Sequence, residues 1–297
     1  MTVDAARFDA WAQDALDQVE TALERWVPED SPAGLGEAMR YAVLGGGKRL
    51  RPLLVLAACE AVHGQREAAL RAACSVELIH AYSLVHDDMP CMDDDVLRRG
   101  KPTVHVAFGE AQAMLAGDAM QALAFEVLTP EEGVDASLQA RLCALLARSA
   151  GHAGMAGGQA IDLASVGQQL DEAALCDMHR RKTGVLLQAS VLMGAACGEL
   201  DERAWNALAE YGAAIGLAFQ VVDDILDVTQ DSEVLGKTAG KDQDANKPTY
   251  VSVLGLEPAR RYAQALRGQA HAALAASGLV DTSRLAQLAD KVVERES

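Results

Sequence analysis

"HAYSLVHDDMPCMDDDVLRRGKP", running from His80 to Pro102, places five aspartates between Asp87 and Asp95 directly after an apolar run. Just upstream, Val76, Leu78, Ile79, Ala81, Tyr82, Leu84 and Val85 wrap most of a helix's circumference, so the sequence predicts a buried helix. Glu77, His80, Ser83 and Asp87 nevertheless recur at three- and four-residue steps and form one polar stripe. Buried polar groups need partners, so such a stripe must face either partner groups or a wet cavity. Pro90 lacks the N–H that a continuing helix would use, which ends or kinks the helix near Asp88. The following turn then brings Asp93 back toward Asp87. An apolar helix with one wet stripe belongs inside a helical bundle that encloses a cavity.

The rest of the chain fits that reading. Phe8, Trp11, Ala15, Val19, Ala22 and Trp26 mark an amphipathic first helix, and "SPAGLGEAMRYAVL" a second that Gly45, Gly46 and Gly47 close. Pro52 marks the start of a third, which runs to Gly64. Further helices are predicted over 66–88, 107–127, 135–155, 171–197, 201–228 and 257–276, with no alternating β-branched runs. "LTPEEGVD" and the long, charged "TQDSEVLGKTAGKDQDANKPTY" are the main loops, and loops of the second length are often functional. The expected fold is all-α: one domain over 1–297, a bundle of ten or more helices around a deep central cavity. Hydrophobic residues make up 50% of the chain but aromatics only 4%, so small aliphatic side chains must do the packing. No apolar run is read as long enough to span a bilayer. The acidic, amphipathic N-terminus is not a signal peptide, and a cytoplasmic protein is expected. Cys59, Cys74, Cys91, Cys143, Cys176 and Cys197 show no CxxC pairing and are expected as reduced, buried thiols. A formal net charge of −17 argues against a nucleic-acid partner and against an anionic membrane surface.

A second acidic group lies in "FQVVDDILD". Gln220, Asp223, Asp224 and Asp227 step by three and four along an otherwise apolar helix. A single such cluster reads as a solvated acidic face. Two clusters, each ending a buried helix, call for cations, and clustered carboxylates suit Mg²⁺, which keeps waters and is shared with substrate phosphates. Basic residues gather where loops meet helices: Lys48, Arg49 and Arg51 beside the glycine loop, Arg98 and Arg99, Lys182 next to Thr183, and Lys237, Lys241 and Lys247. Arginine forks and lysine charges beside metal-binding carboxylates describe a diphosphate site. "GGGKR" is not a Walker A loop, because the spacing fails and Arg49 stands where Ser or Thr would be.

In order, "LGGGKRLRP", "VELIHAYSLVHDDMPCMDDDVLRRGKPT", "GMAGGQAIDL", "RKTG", "GLAFQVVDDILDV" and "GKTAGKDQDANKPTY" resemble the trans-isoprenyl diphosphate synthases over nearly the whole chain, and most of all the bacterial farnesyl diphosphate synthases. The resemblance implies Mg²⁺-dependent head-to-tail condensation of isopentenyl diphosphate with an allylic diphosphate, dimethylallyl then geranyl, giving farnesyl diphosphate. Geranylgeranyl or geranyl diphosphate is the alternative product. It implies three Mg²⁺, with Mn²⁺ as a substitute. Asp87 and Asp93 would bind two of them and Asp223 the third, supported by Asp88, Asp224 and Asp227. Arg98, Lys182, Lys237 and Lys247 would grip the allylic diphosphate. Lys48, Arg51, His80 and Arg99 would hold isopentenyl diphosphate. Thr183, Gln220 and the backbone near Lys182 would stabilise the allylic cation, Gln159 and Asp162 would orient the site, and the released diphosphate would take the proton. Tyr82 and Ser83, the fifth and fourth residues before the first aspartate, would set product length. An ideal helix puts Ser83 almost beneath Asp87 and turns Tyr82 away by about 140°. A homodimer with no membrane anchor is expected.

A class I terpene cyclase shares the bundle and the DDxxD, but its second metal motif differs from the full DDILD here. A noncatalytic partner subunit would lack the aspartate motifs that this chain keeps. "VHDDMP" could suggest an HD-type phosphohydrolase, which needs further metal histidines; only His80 and His86 fall near the cluster.

Overall fold

Helices carry the chain in the order that periodicity predicts, with more breaks. The computed structural model describes residues 3–168, 170–229 and 249–295. The helices are α1 (Val3–Trp26), α2 (Leu35–Val43), α3 (Leu50–Ala61), α4 (Arg66–Asp87), α5 (Val104–Phe108), α6 (Glu110–Leu128), α7 (Ala136–Ala150), α8 (Met155–Ala164), α9 (Glu172–His179), α10 (Val185–Ala196), α11 (Glu202–Thr229), α12 (Tyr250–Leu254), α13 (Leu256–Ala276) and α14 (Ser283–Glu294). Lys237, Lys241 and Lys247 lie outside the described residues, as does nearly all of the long charged loop.

The differences from expectation are local. The helix predicted over 135–155 stops at Ala150, and α8 restarts at Met155 after a turn through Gly151 and Gly154. The helix predicted over 171–197 is interrupted by a π-helical segment, Arg180–Gly184, between α9 and α10. Such widened turns recur at functional sites. Gly109, at φ 89°, separates α5 from α6. A two-stranded antiparallel hairpin, β1 (Leu97–Arg98) with β2 (Lys101–Pro102), was not expected. It folds the arginine pair after the aspartates back on itself.

The buried apolar side chains form one cluster, with α4 packed on α3, α6 and α10. Ala68, Ala69, Ala72 and Ala73 of α4, and Ala113, Ala116 and Ala124 of α6, are all fully buried. This is the close packing that a chain poor in aromatics requires. Leu78 and Ile79 have no solvent exposure, and truncating either to alanine would cost about 2–5 kcal/mol. By length and composition α4 could cross a bilayer, contrary to the sequence reading, but 72% of its apolar window is buried inside the protein. Its hydrophobicity is that of a core helix.

Glu77, at the start of the polar stripe, is structural. The Arg49 guanidinium donates to Glu77 Oε1 at 2.6 Å, to Glu20 Oε1 at 2.7 Å and to the Val43 carbonyl at 2.5 Å. This pins α1, α4 and the glycine loop together. All six cysteines are free, but only Cys59, Cys74 and Cys197 are buried. Cys143 and Cys176 are half-buried and Cys91 is exposed, because it sits in the turn that ends α4.

Candidate active site

The rest of the stripe opens on a cavity of about 640 Å³, walled by the end of α4 and its aspartate loop, by α8, by the π segment and by α11. Asp87, Asp93, Asp223, Asp224 and Asp227 all line it, so the two acidic clusters meet across one space.

The first cluster is built by a folded-back loop. The Asp93 N–H donates to the Asp87 carbonyl at 2.9 Å, and the Asp95 N–H to that of Asp88 at 3.1 Å. This is the return toward Asp87 that Pro90 imposes. Burial, with Asp93 and Asp88 adding like charge, pushes the Asp87 carboxyl up to about 6 in spite of Lys182 and Arg98. Asp88 is buried and accepts a fork from Arg98, Nε at 2.9 Å and Nη2 at 2.5 Å. Arg98 therefore braces Asp88, although its side chain also reaches the cavity wall.

The second cluster is built by straight helix. Asp224 is buried; its Oδ1 accepts from Gln220 Nε2 at 2.8 Å and its Oδ2 from the Tyr250 N–H at 2.7 Å. The Thr183 hydroxyl donates to Gln220 Oε1 at 3.0 Å. Thr183, Gln220 and Asp224 thus form one chain of hydrogen bonds, which fixes the Gln220 amide orientation. Lys182 Nζ meets buried Asp162 at 2.6 Å. The close backbone approaches here need glycine: a Cβ on Gly158 would lie 2.2 Å from the Lys182 backbone nitrogen, and one on Gly216 2.7 Å from the Gly184 Cα. Either methyl would push the π segment, and Lys182 and Thr183 with it, out of place.

Arg51 and His80 also line the cavity. Burial lowers Arg51 to about 10 while Glu77 acts against it, and Arg51 Nε has no partner. Burial, then Arg51 and Arg99, hold His80 well below its ordinary range, so its ring is neutral. Lys48 is exposed and Arg99 donates to the Gly46 carbonyl; both flank the cavity rather than wall it. Gln159 reaches the wall with a buried, unpartnered Nε2. Tyr82 and Ser83 both line the cavity, although an ideal helix turns Tyr82 away from Asp87. The Tyr82 ring is nearly buried and meets the His86 ring edge-on at 5.8 Å.

A divalent cation suits this space. Like charges face one another, and burial holds the Asp87 carboxyl up at about 6 in spite of the nearby Lys182 and Arg98. Among the described residues no three His, Cys, Asp or Glu side chains converge as a closed metal cage. A cation held here would need water and ligand oxygens to complete its coordination, a donor set that suits Mg²⁺.

The polyprenyl synthetase family model matches residues 32–277. Geranylgeranyl pyrophosphate synthase 4 of Arabidopsis thaliana is 48% identical over 266 residues, covering 89% of this chain and 71% of the relative. The apo crystal structure of an FPP/GFPP synthase from Zymomonas mobilis is 43% identical with a TM-score of 0.86, covering 97% of this chain and 99% of the other. A geranyltransferase from Helicobacter pylori, solved with magnesium and isoprenyl diphosphate, is 34% identical with a TM-score of 0.85, covering 98% and 97%.

The chain belongs to the polyprenyl synthetase family. A polyprenyl synthetase is a prenyltransferase that elongates isoprenoid chains. Three groups of this polyprenyl synthetase's site were not singled out from sequence. His179 and Thr249 line the cavity, and Arg295 reaches Asp223 at 3.3 Å. His179 stands three residues before Lys182, so a helical step back from that lysine points to it. Arg295 carries no such signal, because only the tertiary fold brings the end of the chain to α11.

Proposed function

We propose that the protein condenses isopentenyl diphosphate with allylic diphosphates and that its product is geranylgeranyl diphosphate. The observation that carries the reaction is the meeting of two carboxylate clusters, Lys182 and Arg51 in one cavity beside buried Tyr82. Relatives named as geranylgeranyl pyrophosphate synthases, at 43–48% identity, support the twenty-carbon product over farnesyl diphosphate. Asp87, Asp93 and Asp223 would hold Mg²⁺, which, when bound, supplies positive charge to the departing diphosphate. A Helicobacter pylori neighbour solved with magnesium supports that assignment. Lys182, fixed by Asp162, and Arg98, braced on Asp88, face the allylic diphosphate. Arg51 and neutral His80, with Lys48 and Arg99 beside them, take the isopentenyl diphosphate. The Gln220 Oε1 and Thr183 Oγ1 lone pairs face developing positive charge on the allylic carbon.

Farnesyl diphosphate is a second reading, favoured by one observation: Tyr82 stands on the cavity wall one turn below Asp87, where a ring closes the space to a growing chain. Incubation with labelled isopentenyl diphosphate and each allylic starter, followed by chromatography of the dephosphorylated alcohols, decides between them. Geranylgeraniol from wild type supports the first reading. Farnesol from wild type, lengthened by Tyr82→Ala and shortened toward geraniol by Ser83→Phe, supports the second. No product without an allylic starter is expected under either. Product formation from an allylic diphosphate alone would overturn both in favour of a cyclase. A cytoplasmic homodimer belongs to the same proposal; exposed Val106, Met114 and Leu115 on α5 and α6 offer it an apolar face.

A further inference from the structure

His179 is the last residue of α9, stands 7% exposed and lines the cavity. Its ring stacks on Tyr250 at 5.4 Å with 29° between planes. Neither Nδ1 nor Nε2 has a hydrogen-bond partner. Leaving a buried polar nitrogen unpaired costs about 1–3 kcal/mol, and this ring leaves two. A phenylalanine would stack on Tyr250 equally well with neither penalty. Both nitrogens are shielded from solvent while the ring lines the cavity, so a ligand settling against the ring is the group that can supply their missing hydrogen bonds. The charged groups that act on the ring are Asp162, Lys182 and Asp223. Burial holds the imidazole down at about 4, so it is neutral at physiological pH, with one donor and one acceptor nitrogen. Tyr250, which backs the ring, also donates its N–H to Asp224. The imidazole is thus held in register with the second aspartate cluster, one helical turn from Lys182.

We propose that His179 is a binding residue for the allylic diphosphate: one ring nitrogen donates to a diphosphate oxygen between Lys182 and Asp223, and the other accepts from a water of the same assembly. The inference rests on the prenyl-transfer reading above. It adds a contact of fixed direction to a site otherwise made of lysine, arginine and carboxylates. A neutral donor holds the diphosphate without adding a positive charge that would repel a cation at Asp223. It also keeps hold of the group after the allylic bond breaks, when the free diphosphate must stay in place long enough to take the proton.

Calorimetric titration of inorganic diphosphate with Mg²⁺ in excess tests the contact without turnover. His179→Phe should weaken diphosphate binding about tenfold, the loss of one hydrogen bond to a charged acceptor. It should raise the allylic KM and leave the isopentenyl KM within twofold. Its Tm without ligand should equal or exceed that of wild type, because two unpaired buried nitrogens are gone. His179→Leu tests the same loss with a smaller side chain should the phenylalanine variant not fold, and His179→Gln, which can donate and accept, should restore most of the binding. Diphosphate binding by His179→Phe or His179→Leu equal to wild type overturns the proposal, as does a rise in both KM values together. A wild-type protein that binds no Mg²⁺–diphosphate overturns the prenyl-transfer reading itself.

Discussion

Asp87, Asp88 and Asp93 are assembled by a loop that folds back on its own helix, whereas Asp223, Asp224 and Asp227 stand on one uninterrupted helix. The two constructions arrive at the same division of labour. In each, the second aspartate of the pair is buried and bonded to the protein: Asp88 to the Arg98 fork, Asp224 to Gln220 and the Tyr250 N–H; in the second cluster Asp227 is buried as well. Their neighbours Asp87 and Asp223 face the cavity beside opposing basic groups. On the proposed function, each aspartate pair of this chain is then a brace next to a candidate metal ligand. The residue that braces cannot be told from the residue that binds by counting aspartates.

The largest effect should follow from breaking the ligand half of each pair. Asp87→Ala and Asp223→Ala should each lower turnover roughly 10²-fold or more, with the fold kept. Asp88→Asn and Asp224→Asn should be milder in turnover and worse in stability. Steady-state rates beside thermal unfolding of the four variants measure the contrast. Equal losses of rate and equal losses of Tm across all four would end the distinction between brace and ligand.

The next effect separates the clusters by pH. The Asp87 carboxyl, raised to about 6 from an ordinary 3.8, must lose its proton for a cation to bind. Apparent Mg²⁺ affinity should fall about tenfold for each unit below pH 6. The stability consequence has the opposite sense. Between about 4 and 6 the metal-free folded protein holds this proton more tightly than the unfolded chain does. The stabilisation from Asp87 is thus complete at low pH and lost as pH rises through 6. Asp87→Asn should therefore gain Tm on wild type above pH 6, without Mg²⁺, and not below pH 4. A gap between the two proteins that is constant from pH 4 to 7 would show that burial does not raise this carboxyl.

On the brace side the expected effects are smaller. Asp224→Asn leaves an amide that must present its NH₂ to either the Gln220 Nε2 donor or the Tyr250 N–H donor. Asp88→Asn removes the charge that pairs with Arg98. Each should cost about 2 kcal/mol, a fall of a few degrees in Tm. Asp88→Asn should lose less than the buried-pair extreme, because the Arg98 side chain is 31% exposed.

What sequence reasoning delivered follows the physics of each element. The bundle was legible because apolar residues repeat at helical steps, and both clusters were legible because charge on an apolar helix stands out. The turn at Pro90 fixed the return of Asp93. The π segment at Arg180–Gly184 was not legible, since one extra residue per turn leaves apolar periodicity almost unchanged over five residues. Nor was the brace role of Asp88, because it depends on the β1–β2 hairpin that turns Arg98 inward. Glu77 looked like part of the wet stripe and proved to be the partner of Arg49. Three- and four-residue spacing shows which side chains share a face, and only packing shows which of them meet a partner.

The smallest effect sharpens the comparison at its most asymmetric point. Each cluster has an arginine, but they stand differently. Arg98 grips the brace of its cluster, whereas Arg295 approaches the ligand aspartate, with Nη2 3.3 Å from Asp223 Oδ1 and 2.7 Å from the Phe219 carbonyl. Its guanidinium lies over the Phe219 ring at 4.0 Å, and burial lowers its pKa while Asp223 acts against that. A guanidinium so placed holds part of the space that a cation at Asp223 would use. The Asp223 side chain is 40% exposed, so the pair is worth no more than about 1 kcal/mol. Arg295→Ala should therefore lower the Mg²⁺ concentration for half-maximal binding by at most about fivefold, with calorimetry of Mg²⁺ and inorganic diphosphate as the measurement. It should cost little Tm, because burial of the guanidinium works against the gain from the ring contact and the Phe219 bond. Unchanged half-saturation would show that the arginine and the cation do not compete. A rise would show Arg295 working with the bound diphosphate, and the two arginines would then be a brace and a substrate contact rather than a brace and a competitor.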